Sequence, residues 1–290
     1  MPPRCAARGG VLGRAHVSSI WTLPASLPRI GPSHPGDEPH PETSSNLTPV
    51  LDAVLFDWGD TLFHFAYDEE LLDAGWEAGL AALERDGLPG HAETATHFRE
   101  HYLPLLWIPG SVDEVEYPGM VRDLLADFGI DVTDEELGRF LAAEHAAWEP
   151  ARLLGAHTHA LLDALRERGL RTGLVSNAFD PGWLLHEDLR RMGLGERLDV
   201  AVFSSEVGKR KPHPAIFEAA LEGLGVEAGR AVFVGDRLYE DIRGSKELGM
   251  TAVLALWFRA DDDDRGLEPD FEAFTPMDVL NVVRRLTGEL

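Results

Sequence analysis

Four short stretches carry side chains that could do chemistry together. They are Asp57 in Val54-Leu55-Phe56-Asp57-Trp58-Gly59-Asp60-Thr61, Ser176-Asn177 after Leu174-Val175, Lys211 before Pro212, and Asp236 after Phe233-Val234-Gly235. Two carboxylates can hold a hard divalent cation, since Mg²⁺ takes one or two of them and completes its shell with water and phosphate oxygens. A carboxylate can also attack phosphorus and form an aspartyl-phosphate. Lysine is a good point charge for a phosphoryl group, and a serine hydroxyl with the backbone N–H groups after it can bind phosphate oxygens. Asp241, at the start of a helical pattern, can anchor the metal's ligands. Each piece alone has a plainer reading. The aspartates could cap helices, Ser176-Asn177 could form a turn, and Lys209-Arg210-Lys211 could be a solvated face. The chemical reading gains because every stretch follows an apolar run in the same way. The chain has only three lysines, Lys209, Lys211 and Lys246.

Convergence of groups so far apart requires a parallel sheet, whose strand ends lie on one edge. The pattern supplies one. Strands are expected at Val54–Phe56, Thr172–Ser176, Val200–Ser204, Ala231–Val234 and Thr251–Trp257, the last clear strand. Between them lie helical patterns, at residues lined by Leu161, Leu162 and Leu165, at Leu184–Met192, His213–Leu224 and Glu240–Leu248, with a tail helix over Met277–Leu286. Alternation of this kind means right-handed crossovers and helices on both faces. Tyr67 to Pro150 carries only helical faces, including a capping box at Thr133 and Glu136. The expected architecture is α/β, a Rossmann-like parallel-sheet core of residues 51–65 and 151–290 with an inserted all-helical cap of residues 66–150. Trp76, Trp107 and Trp148 are expected in the core of that cap, although any of them could face the substrate.

A formal net charge of −24 excludes nucleic acid and an anionic membrane as general partners. Cys5 is the only cysteine, so no intrachain disulfide can form and a reducing cytoplasm fits. No apolar run approaches the roughly 18 to 20 residues of a membrane span. Residues 1–50 are rich in Pro, Gly and Ser, and are read as a disordered extension. Their Arg-rich, acid-poor first part also fits a transit peptide, and a start assigned too far upstream would explain it equally. Several features read as bland. Asp261–Asp264 is a solvated acidic run, His157 and His159 are capping or surface residues, and Arg237 and Arg243 fit a phosphate rim or the surface alike. Gly223, Gly225 and Gly229 sit at a helix end, where no dinucleotide would bind.

Taken as a set, these residues resemble the haloacid dehalogenase-like (HAD) superfamily of hydrolases with a helical cap, in its phosphoglycolate-phosphatase-like branch. The first motif is Phe56-Asp57-Trp58-Gly59-Asp60-Thr61-Leu62 and the second Leu174-Val175-Ser176-Asn177. The third is Lys211-Pro212-His213-Pro214-Ala215-Ile216-Phe217, with His213 where Asp is usual. The fourth runs from Phe233-Val234-Gly235-Asp236 through Asp241, Gly244 and Gly249-Met250. The resemblance covers Leu51 to Phe258. It implies a Mg²⁺-dependent phosphatase of small phosphorylated substrates. Asp57 would be nucleophile and metal ligand, Ser176, Asn177 and Lys211 phosphate ligands, and Gly59 (through its carbonyl), Asp236 and Asp241 metal ligands.

One position departs from the pattern. Phosphatases of the family usually carry a second aspartate two residues after the nucleophile, as general acid and base. Here Gly59 stands there, and an aspartate follows at Asp60. A positioned general acid contributes about 10²- to 10⁴-fold, or roughly 3 to 5 kcal/mol of barrier. Either Asp60 takes the role through an altered turn, or the enzyme is slow on poor leaving groups, or the chemistry differs. Phosphonoacetaldehyde hydrolases also lack that aspartate but use a cap lysine, and residues 66–150 contain none. Haloacid dehalogenases lack it too, yet have little use for a second metal-binding motif. A weakly catalytic protein that binds a phosphorylated ligand or a partner would not need the nucleophile.

Overall fold

The computed structural model describes residues 51–259 and 266–289. Residues 1–50 and the acidic run Asp261–Asp264, read above as an extension and a solvated loop, lie outside them. In chain order, β1 (Ala53–Phe56) and β2 (Phe63–Phe65) lead into four helices, α1 (Glu69–Ala81), α2 (His91–His101), α3 (Tyr117–Asp127) and α4 (Asp134–Ala147). Then come β3 (Arg152–Leu154), α5 (Thr158–Glu167), β4 (Arg171–Ser176), α6 (Gly182–Arg191) and β5 (Val200–Phe203). The short α7 (Ser204–Val207), α8 (Pro214–Leu224), β6 (Ala231–Gly235), α9 (Gly244–Glu247), β7 (Thr251–Ala255), β8 (Phe271–Ala273) and α10 (Asp278–Leu286) complete it.

Six of the strands form one parallel sheet in the order β5-β4-β1-β6-β7-β8. The central strands are continuous apolar runs because both of their faces are covered. Successive residues point to opposite faces. Val54 and Phe56 therefore join a core with Leu161 and Leu165 of α5, Leu189 of α6 and Val279 of α10. Leu55 joins the opposite core, with Ile216 and Phe217 of α8. β1 is in register with both neighbours, Phe56 opposite Leu174 of β4 and Val234 of β6. That register brings the ends of β1, β4 and β6 to one edge of the sheet.

Helices α1 to α4 have an apolar core of their own. Trp76 is fully buried there, its ring 5.3 Å from both Phe98 and Phe140. The Thr133–Glu136 capping box is present, Thr133 N–H donating to Glu136 Oε2 at 2.8 Å and Glu136 N–H to Thr133 Oγ1 at 3.3 Å. The antiparallel pair β2–β3 closes the two points where the chain enters and leaves this helical insert.

Four features depart from the sequence reading. The β2–β3 pair and β8 are three residues each, too short to show a period. The helix expected over Glu240–Leu248 is present but begins at Leu238, and its first stretch, Leu238–Arg243, is wound as a π-helix, with Ile242 N–H reaching the carbonyl of Arg237 five residues back, before the short α9. Strand β7 stops at Ala255. Trp107 is 57% exposed and lies outside the helical core.

Gly79 marks the closest approach of α1 to α4. A Cβ built there would meet ring atoms of Phe140 at 2.6 to 2.9 Å, and Phe140 is fully buried. Gly79→Ala should therefore destabilise the protein by about 1–3 kcal/mol in urea unfolding. Gly138→Ala on α4, where a Cβ meets nothing within 4 Å, should be neutral or stabilising by up to about 1 kcal/mol.

Candidate active site

Asp57 directly follows β1, and its N–H donates to the carbonyl of Val234 at 2.8 Å. The side chain is buried at the foot of a cavity of about 310 Å³. Lys211, equally buried, brings its Nζ to 2.5 Å from Asp57 Oδ1 and 2.7 Å from Asp241 Oδ1, and donates to the carbonyl of Val175 at 3.0 Å. The solvated-face reading thus fails for two members of the Lys209-Arg210-Lys211 run, since Arg210 and Lys211 are both buried. Burial opposes a charge on Lys211, but the carboxylates of Asp241 and Asp57 outweigh it and hold the ammonium well above its ordinary pKa.

Oxygen atoms of Asp57, Asp236 and Asp241 lie within 4.8 Å of one another. Asp236 Oδ1 is buried without a hydrogen-bond partner, which is costly unless something binds it. Burial, then the charges of Asp57 and Asp241, push the Asp236 carboxyl up to about 9. Burial likewise raises Asp241 to about 6, although Lys211 pulls it back. Three hard oxygen donors, two of them on one lysine and the third orphaned, fit a divalent cation that takes oxygen ligands. Gly235 is required by this packing: a Cβ on it would lie 2.4 Å from the Asp241 carboxylate. Asp241 Oδ2 also accepts from the N–H of Arg237 at 3.0 Å.

Ser176 is buried at the end of β4 and lines the same cavity, as do Asn177, Gly59 and Asp60. The Asn177 carboxamide is fully engaged. It accepts from Lys211 N–H at 2.7 Å and donates to the Lys211 carbonyl at 3.2 Å, fixing the lysine's backbone. Asp60 adopts a left-handed backbone, φ +54°. Its Oδ1 lies 2.7 Å from His64 Nδ1 and accepts from Phe65 N–H at 3.3 Å. His213, where the motif usually has Asp, caps α8: its Nδ1 accepts from Ala215 N–H at the start of that helix. Arg237 lines the cavity beside Glu240, while Arg243 pairs with Glu247 and has no part in it. His157 makes no capping bond, and His159 bonds the Met192 carbonyl.

Sequence reasoning missed two groups. A seam joins the loop before α3 to the segment before Lys211. Buried Glu114 pairs with Arg210 at 2.8 Å and accepts from Ser204 Oγ, and its N–H donates to the Gly208 carbonyl. Arg210 N–H in turn donates to Val112. The second group is a charged cluster at the roof of the cavity. His145 of α4 lies 3.0 Å from Asp180 and 2.8 Å from Asp188, and Arg152 reaches Asp188 at 3.3 Å. Glu144 beside it accepts from Trp148 Nε1 at 3.0 Å. Neither group has a spacing that sequence could show.

Residues 51–249 match the family described as haloacid dehalogenase-like hydrolase. A glyceraldehyde 3-phosphate phosphatase of Methanopyrus kandleri is 31% identical over 248 residues, covering 83% of this chain and all of that one. A phosphoserine phosphatase of Thermus thermophilus is 36% identical over 225 residues, covering 78% and 74%. Among solved structures, a HAD phosphatase from Thermococcus onnurineus superposes with a TM-score of 0.52 at 25% identity, covering 80% of this chain and 98% of that one. No helix among the described residues is long and apolar enough to cross a membrane.

The roof cluster generates a prediction. Burial alone would lower His145, but the hydrogen bonds to Asp180 and Asp188 raise it to about 9. Burial, then Asp180, raises Glu144 to about 7. Both folded-state values lie above the ordinary ones, so both groups stabilise at low pH and lose that contribution as pH rises. For His145 the loss falls between about pH 6.5 and 9, and amounts to about 3 kcal/mol. Tm should decline over that window, and the decline should flatten in His145→Gln.

Proposed function

The chain belongs to the haloacid dehalogenase-like hydrolase family, and on that premise we propose that it is a Mg²⁺-dependent phosphatase of small phosphate monoesters, working through an aspartyl-phosphate on Asp57. The observation that carries this reading is the contact of Asp57 with Lys211 beside the orphaned oxygen of Asp236. A free carboxylate held at one oxygen by an ammonium keeps the other oxygen available for attack. Phosphatases acting on glyceraldehyde 3-phosphate and phosphoserine among the relatives support a small phosphorylated substrate.

In this proposal the Asp57 oxygen attacks phosphorus, the ester P–O bond breaks, and water later hydrolyses the acyl-phosphate to restore Asp57. Lys211 counters charge on both Asp57 and the phosphoryl group. The Ser176 hydroxyl and the backbone N–H of Asn177 bind phosphoryl oxygens, while the Asn177 carboxamide keeps Lys211 in place. Asp57, Asp236, Asp241 and the Gly59 carbonyl are the groups that would hold Mg²⁺. Bound there, Mg²⁺ offsets the charge of a phosphate brought up against carboxylates. Asp60 is the acid/base candidate, with Oδ2 available because His64 and Phe65 occupy Oδ1.

A 2-haloacid dehalogenase of Pseudomonas syringae pv. Tomato shares the fold, with a TM-score of 0.56 at 24% identity. Displacing a halide needs no cation, however, and the acidic trio has no evident use in that reaction.

Asp57→Asn should lower turnover of a phosphate-ester panel by at least about a thousandfold. Unchanged turnover would overturn the mechanism. EDTA should abolish activity and Mg²⁺ restore it. Mg²⁺ should also raise Tm of the wild type by mass action, and markedly less in Asp236→Asn. A parallel chloride-release assay on 2-haloacids should stay blank.

A further inference from the structure

We infer that the ester this site turns over is an aryl phosphate, with a phenol-type oxygen as leaving group on a flat aromatic body; the inference rests on the phosphatase reading above. Three observations converge on it.

The cavity above Asp57 is lined by two groups of aromatic rings. In one, the rings of Phe65 and Tyr67 both lie against Trp148, at 5.7 and 5.8 Å with tilts near 30°. In the other, Phe179 packs against Tyr117 at 4.8 Å and Trp107 at 5.9 Å. All six line the cavity, and Tyr67 and Trp107 are more than half exposed. Rings exposed at that cost to the free protein are a platform for another flat apolar group.

The cations of the cavity are already spoken for. Arg152 is held by the His145 carbonyl and Asp188, Arg210 by Glu114, Lys211 by Asp57 and Asp241, and Arg237 faces Glu240 at 3.7 Å. A leaving group bearing its own carboxylate would find no unpaired cation among them, and would face Glu144, Asp180 and Asp188 instead. An uncharged ring meets no such penalty.

The third observation is the supply of protons. Gly59 offers none. Asp60 keeps only Oδ2 for the task, since His64 and Phe65 hold Oδ1, and Asp180 and Asp188 are tied to His145. An alkoxide needs a proton as it departs, whereas a phenolate, of pKa near 10, is a far weaker base and departs with little help. The atoms balance simply. The Asp57 oxygen forms the new P–O bond, the aryl oxygen leaves with the old bonding pair and takes a proton from Asp60 or water, and a second water releases phosphate.

The test uses the full chain with Mg²⁺ and four esters: 1-naphthyl, phenyl and cyclohexyl phosphate, and glycerol 2-phosphate. The expected order of kcat/KM is naphthyl and phenyl above cyclohexyl above glycerol, with at least tenfold from first to last. Aryl esters are intrinsically more reactive, so the lining rings are tested separately. Tyr67→Ala with Trp107→Ala, both at exposed positions, should cost the naphthyl ester roughly tenfold. The naphthyl-to-glycerol ratio should fall by a similar factor. Binding of 1-naphthylphosphonate, which cannot turn over, should weaken in step. If glycerol 2-phosphate matches the aryl esters, or the double variant lowers all four alike, the inference fails and the phosphatase reading stands. If none of the four is hydrolysed while the chain stays folded, both fail.

Discussion

Lys211 is the group on which the rest of the site depends. It places one positive charge among three buried carboxylates, and without it Asp57 and Asp241 would face each other with nothing between them. A buried ion of either sign is expensive, and such clusters persist only when geometry satisfies them closely. Much of the surrounding structure serves that geometry. The register of β1 with β4 and β6 sets the distance between Asp57, Ser176 and Asp236. Gly235 makes room for the Asp241 carboxylate, and the Asn177 carboxamide grips the lysine by its backbone. The fold is thus a device for holding like charges close.

Much of this was legible in the chain. The apolar runs ending in Asp57, Ser176 and Asp236 announce parallel strands because both faces of the sheet are covered, which leaves no polar alternation to confuse the period. The helical insert was equally plain, since its faces repeat at helical spacing and its caps are chemically distinctive. What escaped detection is what period cannot express. Three-residue strands such as β2, β3 and β8 are too short, and the π-winding at Leu238–Arg243 changes the helical hydrogen-bond step by only one residue. A tryptophan such as Trp107 can serve a core or a site alike, and only the fold shows it lining the cavity. The roof cluster and the Glu114 seam join residues tens of positions apart, and only the folded chain brings them together.

The Asp60 turn shows where residue identity and residue position part company. A single step from Gly59 to Asp60 moves the carboxylate into a left-handed backbone conformation and into the company of His64. The sequence retains the right functional group and gives it a different neighbour. It does not reach the contact between Asp57 and Lys211.

The Glu114 seam gives the helical insert a second support. Two backbone hydrogen bonds and a buried ion pair fasten the insert's loop to the peptide immediately before Lys211. The first support is the β2–β3 pair, where the chain enters and leaves the insert. The helices are thus moored to the sheet at two places far apart in the chain, and one mooring is the same peptide that carries the buried ammonium, so the insert and the charge cluster share a footing.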